Sequence, residues 1–335
     1  MMSSHRIPVT DESATGQVRR FISGLCREAG MDETMAGQAT IVGSEMAHNL
    51  VRHGSGGEMV VWQSQDAAHP VLELLALDQG KGMADVAACL RDGHSTSGTM
   101  GTGLGSIRRL SSQFDIYSEP GHGTAVWSRM FGPPAALHGG FEYGGVSVPV
   151  AGEVLCGDAW HLKPHAAGAR LQVIVVDGLG HGPSAEAAAS EAVSTFQNRK
   201  NELSPAEMLE EVHRALTKTR GAAGSVVEID PAGLKATGAG VGNVMMRLWS
   251  NQGSKALVSD NGTLGGNVRK VQQFTQPWSA ESLLIMHSDG LSTQWNLGDY
   301  PGLPFRHPSL VAGVLYRDFR RQRDDATVVV VRYRP

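Results

Sequence analysis

The sequence predicts an α/β protein of two domains. Three observations predict it: a Pro/Gly-rich break near the middle, mixed helices and strands before the break, and a strand-rich stretch with two helices after it. The break runs Gly132-Pro133-Pro134-Ala135-Ala136-Leu137-His138-Gly139-Gly140, lacks amphipathic period and concentrates residues that punctuate structure. It divides 335 residues into a first domain at 1–132, a linker at 133–140 and a second domain at 141–335, each part of ordinary domain size.

Bulk composition narrows the class. Hydrophobic residues at 41% and charged residues at 19% suit globular domains with sizeable cores. A formal net charge of −4 and the lack of any long Lys/Arg block argue against nucleic acid or an anionic membrane as the main partner. The 42 glycines exceed the usual share of about 7%, and backbone-driven loops such as phosphate cradles and tight turns beside metals are one explanation. Cys26, Cys89 and Cys156 lie far apart and form no C-x-x-C pair, so small buried thiols are expected, not a disulfide frame. Neither a signal-peptide core nor an apolar run of 18 residues occurs, and a cytoplasmic location is expected.

In the first domain, residues 5–9 read as a short strand, and Thr10-Asp11-Glu12 offers N-cap chemistry. Val18, Phe21, Ile22, Leu25 and Cys26 then follow the 3.6-residue period up to Gly30. A second helix begins near Asp32-Glu33 and stops at Gly54, and strands follow at 58–63 and 71–77. Its last turns place Glu45, Asn49 and roughly His53 on one face. A carboxylate and an amide one turn apart can hold a hydrated Mg²⁺ and polarise a hydroxyl.

The strand at 71–77 ends in Asp78-Gln79-Gly80-Lys81-Gly82, putting a carboxylate at a sheet edge, where it suits an exocyclic amine such as adenine's. Residues 93–100 form a polar, lid-like stretch that runs into Gly101-Thr102-Gly103-Leu104-Gly105 at the start of a helix. Free amides and the positive dipole end there favour a bound anion. This Gly-x-Gly-x-Gly does not follow a strand, so the dinucleotide-binding reading fails on context, and no G-x-x-x-x-G-K-[ST] motif occurs. Strands at 113–118 and 124–130 close the domain.

Taken together, these motifs resemble the GHKL ATP-binding superfamily, and within it the small anti-sigma and stressosome switch kinases (RsbT-like), over residues 5–131. The resemblance implies a Bergerat-type α/β sandwich with helices on one face of a mixed sheet. It implies that Glu45 is the base for a protein Ser or Thr hydroxyl and that Asn49 ligates the Mg²⁺ of bound ATP. By the same resemblance Asp78 binds the adenine amine, Gly80 and Gly82 shape its pocket with Thr124 nearby, and Gly101, Gly103 and Gly105 hold the phosphates. Lys81 departs from the pattern, since these kinases often carry Pro there, and it adds a cation near the nucleotide.

In the second domain, strands are expected at 143–150, 159–163, 170–176, 225–230, 234–239, 244–250, 283–286 and 326–331. Helices are expected at 183–200 and 204–219, an order that suggests two sheets sandwiched between helices. The chemistry lies in acids at strand ends: Asp158, Asp177, Asp289 and the pair Asp324-Asp325. Isolated acids in such places are costly unless they meet donors or cations, and hard oxygen ligands suit Mg²⁺ or Mn²⁺. Two close ions can activate a bridging water and clamp a phosphoryl group.

This set resembles PPM-type metal-dependent protein serine/threonine phosphatases of the SpoIIE/RsbX branch, over residues 139–333 and including Gly240-Val241-Gly242-Asn243. The resemblance implies an αββα sandwich in which Asp158, Asp177, Asp289 and Asp324 (or Asp325) are carboxylate ligands of two Mn²⁺ or Mg²⁺ ions and Gly178 contributes its carbonyl. His181 is either a further ligand or, the preferred reading, a neutral ring that orients water or backbone. The expected function is a bifunctional switch acting on STAS-domain anti-anti-sigma or stressosome proteins. The alternative keeps the first domain as a nucleotide-dependent binding module and leaves only the phosphatase as an enzyme. A homodimer is compatible with either reading.

Overall fold

The computed structural model of the chain describes residues 4–66, 69–90, 103–131, 139–199 and 201–334, with backbone alone at 64–66, 69 and 167. The expected lid at 93–100, Gly101 and linker residues 133–138 lie outside the described residues. The chain forms two compact units. One comprises Ser4–Pro134 with Phe305–Arg317, the other Ala135–Pro304 with Asp318–Pro335.

In the first unit, β1 (Ser4–Val9) leads into α1 (Glu12–Glu28) and α2 (Glu33–His53). Asp11 caps α1 by accepting the Ser13 amide at 2.8 Å, and Asp32 caps α2 through the Met35 amide at 2.8 Å. At the far end of α2, the Gly54 amide bonds back to the carbonyls of Asn49 and Leu50. The hairpin β2 (Gly57–Asp66) and β3 (His69–Leu77) follows, then α3 (Val86–Cys89), α4 (Gly103–Leu110), β4 (Gln113–Ser118) and β5 (Thr124–Met130).

The strands pair in the order β1-β2-β3-β5-β4, and every pair is antiparallel, where the resemblance implies a mixed sheet. The reason is topological. β5 inserts between β3 and β4, which run in the same direction and so never meet. Side chains alternate between faces. Leu72, Leu74 and Ala76 of β3 and Val126 and Met130 of β5 join Val18, Ile22, Val42, Met46 and Leu50 of the helices in one buried core. Burial of each large side chain there contributes about 1.5–3 kcal/mol. Val71, Glu73, Leu75 and Leu77 of β3 therefore point to the other face.

The second unit contains β6 (Phe141–Val148), β7 (Asp158–His165), β8 (Arg170–Gly178), α5 (Pro183–Asn198), α6 (Pro205–Ala215), β9 (Ala222–Asp230) and β10 (Lys235–Val241). It continues with β11 (Met245–Ser250), β12 (Gly253–Leu257), β13 (Gln273–Pro277), β14 (Leu283–His287) and, last, β15 (Ala326–Tyr333). Two five-stranded antiparallel sheets result, ordered β13-β10-β9-β8-β7 and β12-β11-β14-β15-β6. Val173, Val175, Val227 and Ile229 of the first sheet meet Met246, Leu284, Met286, Val329 and Val331 of the second in one core. The alternate residues Ile174, Val176 and Val226 pack with Ala189, Phe196, Leu209 and Val212 of α5 and α6. The two stacked sheets expected from the sequence are present, with α5 and α6 over the outer face of the first, and α6 opens with a complete capping box between Ser204 and Glu207.

Between β14 and β15 in chain order lies α7 (Pro308–Phe319), which as far as Arg317 belongs to the first unit. The expected elements do not include it. All nine residues Pro308–Tyr316 are buried, so the helix carries no polar stripe from which a 3.6-residue period is read. It lies against the face of β3 that carries Leu75 and Leu77: a Cβ added to Gly313 would stand 2.7 Å from Leu75 and 3.3 Å from Leu77. On the same face of the sheet the buried Glu73 carboxylate accepts the Trp127 indole N–H at 2.8 Å and pairs with Arg129 at 3.0 Å.

Candidate functional site

The first site is built on the last turns of α2. Glu45 and Asn49 are half-buried on one face, and Gly103, the first residue of α4, lies over them. A Cβ on Gly103 would stand 2.9 Å from Oε2 of Glu45 and 3.7 Å from Oδ1 of Asn49. The Asn49 Nδ2 is buried and has no hydrogen-bond partner among the described residues. An unmet buried donor costs about 1–3 kcal/mol, so this amide calls for an acceptor. A phosphate oxygen at the N-terminus of α4 suits Nδ2, and a cation suits the carboxylate and Oδ1 beside it. These residues fit a nucleotide with its magnesium. Gly105 is buried one half-turn further into α4.

A second cluster forms the corner after β3. The Asp78 side chain is 9% exposed, and its Oδ1 accepts the amides of Gly80 at 2.8 Å and Thr124 at 3.1 Å. Neither bond uses Oδ2, which leaves that oxygen for a ligand amine. Burial pushes the Asp78 carboxyl up, while the two amides, Arg317 and His53 pull it back. The backbone approaches closely here: a Cβ on Gly80 would meet the His53 carbonyl at 2.7 Å, and one on Gly123, at φ +77°, would meet the Asp78 carbonyl at 2.1 Å. Gly82, at φ +66°, is placed differently, with its Cα against the carbonyl of Glu119, 2.0 Å from a built Cβ. The Thr124 hydroxyl bonds to that of Ser118 at 2.9 Å, and Lys81 is exposed.

The acids of the second unit meet where the two sheets end. Asp158 opens β7 directly opposite Asp177 of β8, and Asp289 follows the end of β14. The Asp158 carboxyl is held well above the ordinary range by burial and by Asp177, and its Oδ2 accepts the Ser288 hydroxyl at 2.6 Å. Burial, then Asp289, Asp324 and Asp325, push Asp177 up to about 7. Burial and Asp324 also raise Asp289, which accepts a hydrogen bond from the Asn243 amide. Acids that repel one another in this way are matched to cations, and the donor set is all hard oxygen. Among the described residues no three His, Cys, Asp or Glu side chains close around one point. A Mg²⁺ ion that keeps most of its water needs only one or two of them. Gly178 is buried, with its amide on the Gly157 carbonyl at 2.9 Å.

Geometry separates the paired acids. Both oxygens of Asp325 are taken by backbone amides, Val150 on Oδ1 at 2.6 Å and Gly157 on Oδ2 at 2.7 Å. Asp325 therefore ties down the loop before β7, whereas Asp324 accepts the adjacent Asp325 amide on Oδ1 at 2.9 Å. Asp325→Asn sets an amide N–H₂ against one of those donors and is expected to destabilise the second unit by about 1–3 kcal/mol, read as a lower Tm. Asp324→Asn is expected to leave stability within about 0.5 kcal/mol of wild type. His181 is exposed and meets Glu153 at 2.8 Å, not one of the acids. The sequence alone assigns no role to the Ser288, Asn243 or Glu153 side chains. Ser288 adjoins Asp289 and Asn243 ends a motif already singled out, whereas Glu153 has no local signal, because its partner lies 28 residues away.

Both parts of the chain are similar to known proteins. Residues 167–334 match the family described as Stage II sporulation protein E (SpoIIE), and residues 7–130 match the histidine kinase-like ATPase domain. The serine/threonine-protein kinase RsbT of Bacillus subtilis (strain 168) is 32% identical over 108 residues, which cover 32% of this chain and 81% of RsbT. The phosphoserine phosphatase RsbX of the same organism is 30% identical over 142 residues, covering 42% of this chain and 70% of RsbX. A crystal structure of RsbX in complex with magnesium shares the fold, with a TM-score of 0.52 and 23% identity over 59% of this chain and 98% of that one. The chain belongs to the SpoIIE family and joins to that phosphatase fold, in one polypeptide, an RsbT-like histidine kinase-type ATPase domain.

Proposed function

We propose that the chain is a bifunctional signalling switch that phosphorylates a Ser or Thr on a STAS-domain regulator with ATP and removes the phosphate again with a divalent metal. The observation that carries this reading is the pairing, end to end in one chain, of likenesses to a serine/threonine kinase and to a phosphoserine phosphatase. Opposed activities on one residue type, held in one polypeptide, act at raised effective concentration on a shared target.

In the first site Glu45 takes the hydroxyl proton of the protein substrate. Asn49 and the start of α4 would hold the phosphates and magnesium, and Asp78 would read the adenine amine. The transfer rests on positioning and charge neutralisation, as phosphoryl transfer generally does. In the second site Asp158, Asp177, Asp289 and Asp324, with the Gly178 carbonyl, would hold two Mn²⁺ or Mg²⁺ ions. Those ions supply an activated water and a clamp on the phosphoryl group. Ser288 and Asn243 fix the orientation of Asp158 and Asp289 through their hydrogen bonds.

Phosphate release from a serine-phosphorylated STAS protein tests the phosphatase half. Release is expected with Mn²⁺ or Mg²⁺, to vanish with excess EDTA and to return when metal is restored. Release that continues at full rate in EDTA contradicts the metal site.

A further inference from the structure

The corner that carries Asp78 is held by a residue far outside the ATPase-like part of the sequence. Arg317, in the last turn of α7, donates from Nη1 to the backbone carbonyl of Asp78 at 2.9 Å. Both residues lie in the same compact unit. Gly313 stands one turn before Arg317 on the same face of α7 and packs on Leu75 and Leu77, the residues that lead into Asp78. The beginning of the helix is fixed as well. The His307 amide donates to Asp115 Oδ2 at 2.8 Å, Arg306 pairs with Oδ1 of the same carboxylate at 3.3 Å, and the His307 ring stacks on Trp127 at 3.7 Å.

We propose that Arg317 is a positioning residue of the nucleotide site, so that adenine recognition by the first unit depends on α7, a helix contributed by the SpoIIE-like part of the chain. The inference rests on the reading of Asp78 as the adenine ligand. The ATPase-domain match ends at residue 130, whereas Arg317 falls within the SpoIIE match. Two other segments meet at the same corner: Gly54 at the end of α2, against the Asp78 Cβ, and Gly123 and Thr124 of the β4–β5 turn, against its carbonyl and carboxylate. Neither of them places a cation on the Asp78 peptide. Arg317 does, and a charged donor on that carbonyl fixes the peptide from which the carboxylate projects.

The test is equilibrium binding of MgATP and MgITP to the full-length protein, its Arg317→Met and Arg317→Lys variants, and Asp78→Asn. ITP lacks the exocyclic amine, so the ATP/ITP affinity ratio reads the alignment of Asp78. Arg317→Met is expected to weaken ATP binding by about tenfold, with ITP binding almost unchanged, and Arg317→Lys is expected to recover part of the ratio. Hydrogen exchange supplies a second readout: ATP should protect the amides of α7 in wild type and not in Arg317→Met. An unchanged ratio in Arg317→Met, or equal loss of both nucleotides with a lower Tm, overturns the inference while leaving the nucleotide site standing. A wild-type protein that binds neither nucleotide, or an Asp78→Asn variant with an unaltered ratio, overturns the underlying reading and the inference with it.

Discussion

Asp177→Asn is expected to abolish metal-dependent dephosphorylation, with a fall in turnover of about 10³-fold, since a metal-bound phosphoryl group and water are worth several kcal/mol at about 1.4 kcal/mol per decade. Asp177 faces Asp158 across the β7–β8 pair and interacts with Asp289 and Asp324, which places it at the centre of the acid set. The same substitution carries a second expected sign. Without metal, a carboxyl raised to about 7 is charged at a pH of about 8 and repels its neighbours, so its neutral isostere should raise the Tm of the metal-free protein. A gain of about 1 kcal/mol corresponds to about 2–4 °C in a unit of this size. Lost activity with a lower metal-free Tm would mean that Asp177 serves the fold and not a cation.

Glu45→Ala is expected to remove phosphotransfer to a protein substrate by about 10²–10⁴-fold, the usual contribution of a positioned base. The carboxylate lies at the mouth of α4 beside Asn49, where a Cβ on Gly103 would already touch it. ATP affinity should change little, because the adenine corner and Asn49 remain. Transfer at the wild-type rate by Glu45→Ala would leave the first unit as a nucleotide-dependent binding module, with the phosphatase as the sole enzyme. Lys81 is the sequence feature that gives this alternative weight, and it is exposed at the turn after Asp78.

Local chemistry makes most of both sites readable. Asp32, Gly54 and the 3.6-residue period delimit α2, so the relation between Glu45 and Asn49 follows from helix geometry alone. Strand-end acids are equally visible, because an Asp after an apolar run breaks the pattern of the strand. What stays hidden depends on long-range partners. Asp324 and Asp325 are equivalent in sequence, and only the amides of Val150 and Gly157, more than 165 residues away, distinguish them. The helix α7 is hidden for a different reason: burial on all sides erases the polar face that reveals a helix. With it goes the partner of the outward face of β3, whose Leu75, Leu77 and Glu73 need cover. The antiparallel pairing of the first sheet likewise follows from the insertion of β5, which no local signal encodes.

Transfer of γ-labelled phosphate from ATP to a candidate STAS protein, with Mg²⁺ and in parallel for wild type, Glu45→Ala and Asp177→Asn, tests the bifunctional assignment most directly. The expected result is label that accumulates on the partner with Asp177→Asn, stays low with wild type and is absent with Glu45→Ala. A partner that remains unlabelled with all three proteins, although each binds ATP, would contradict it.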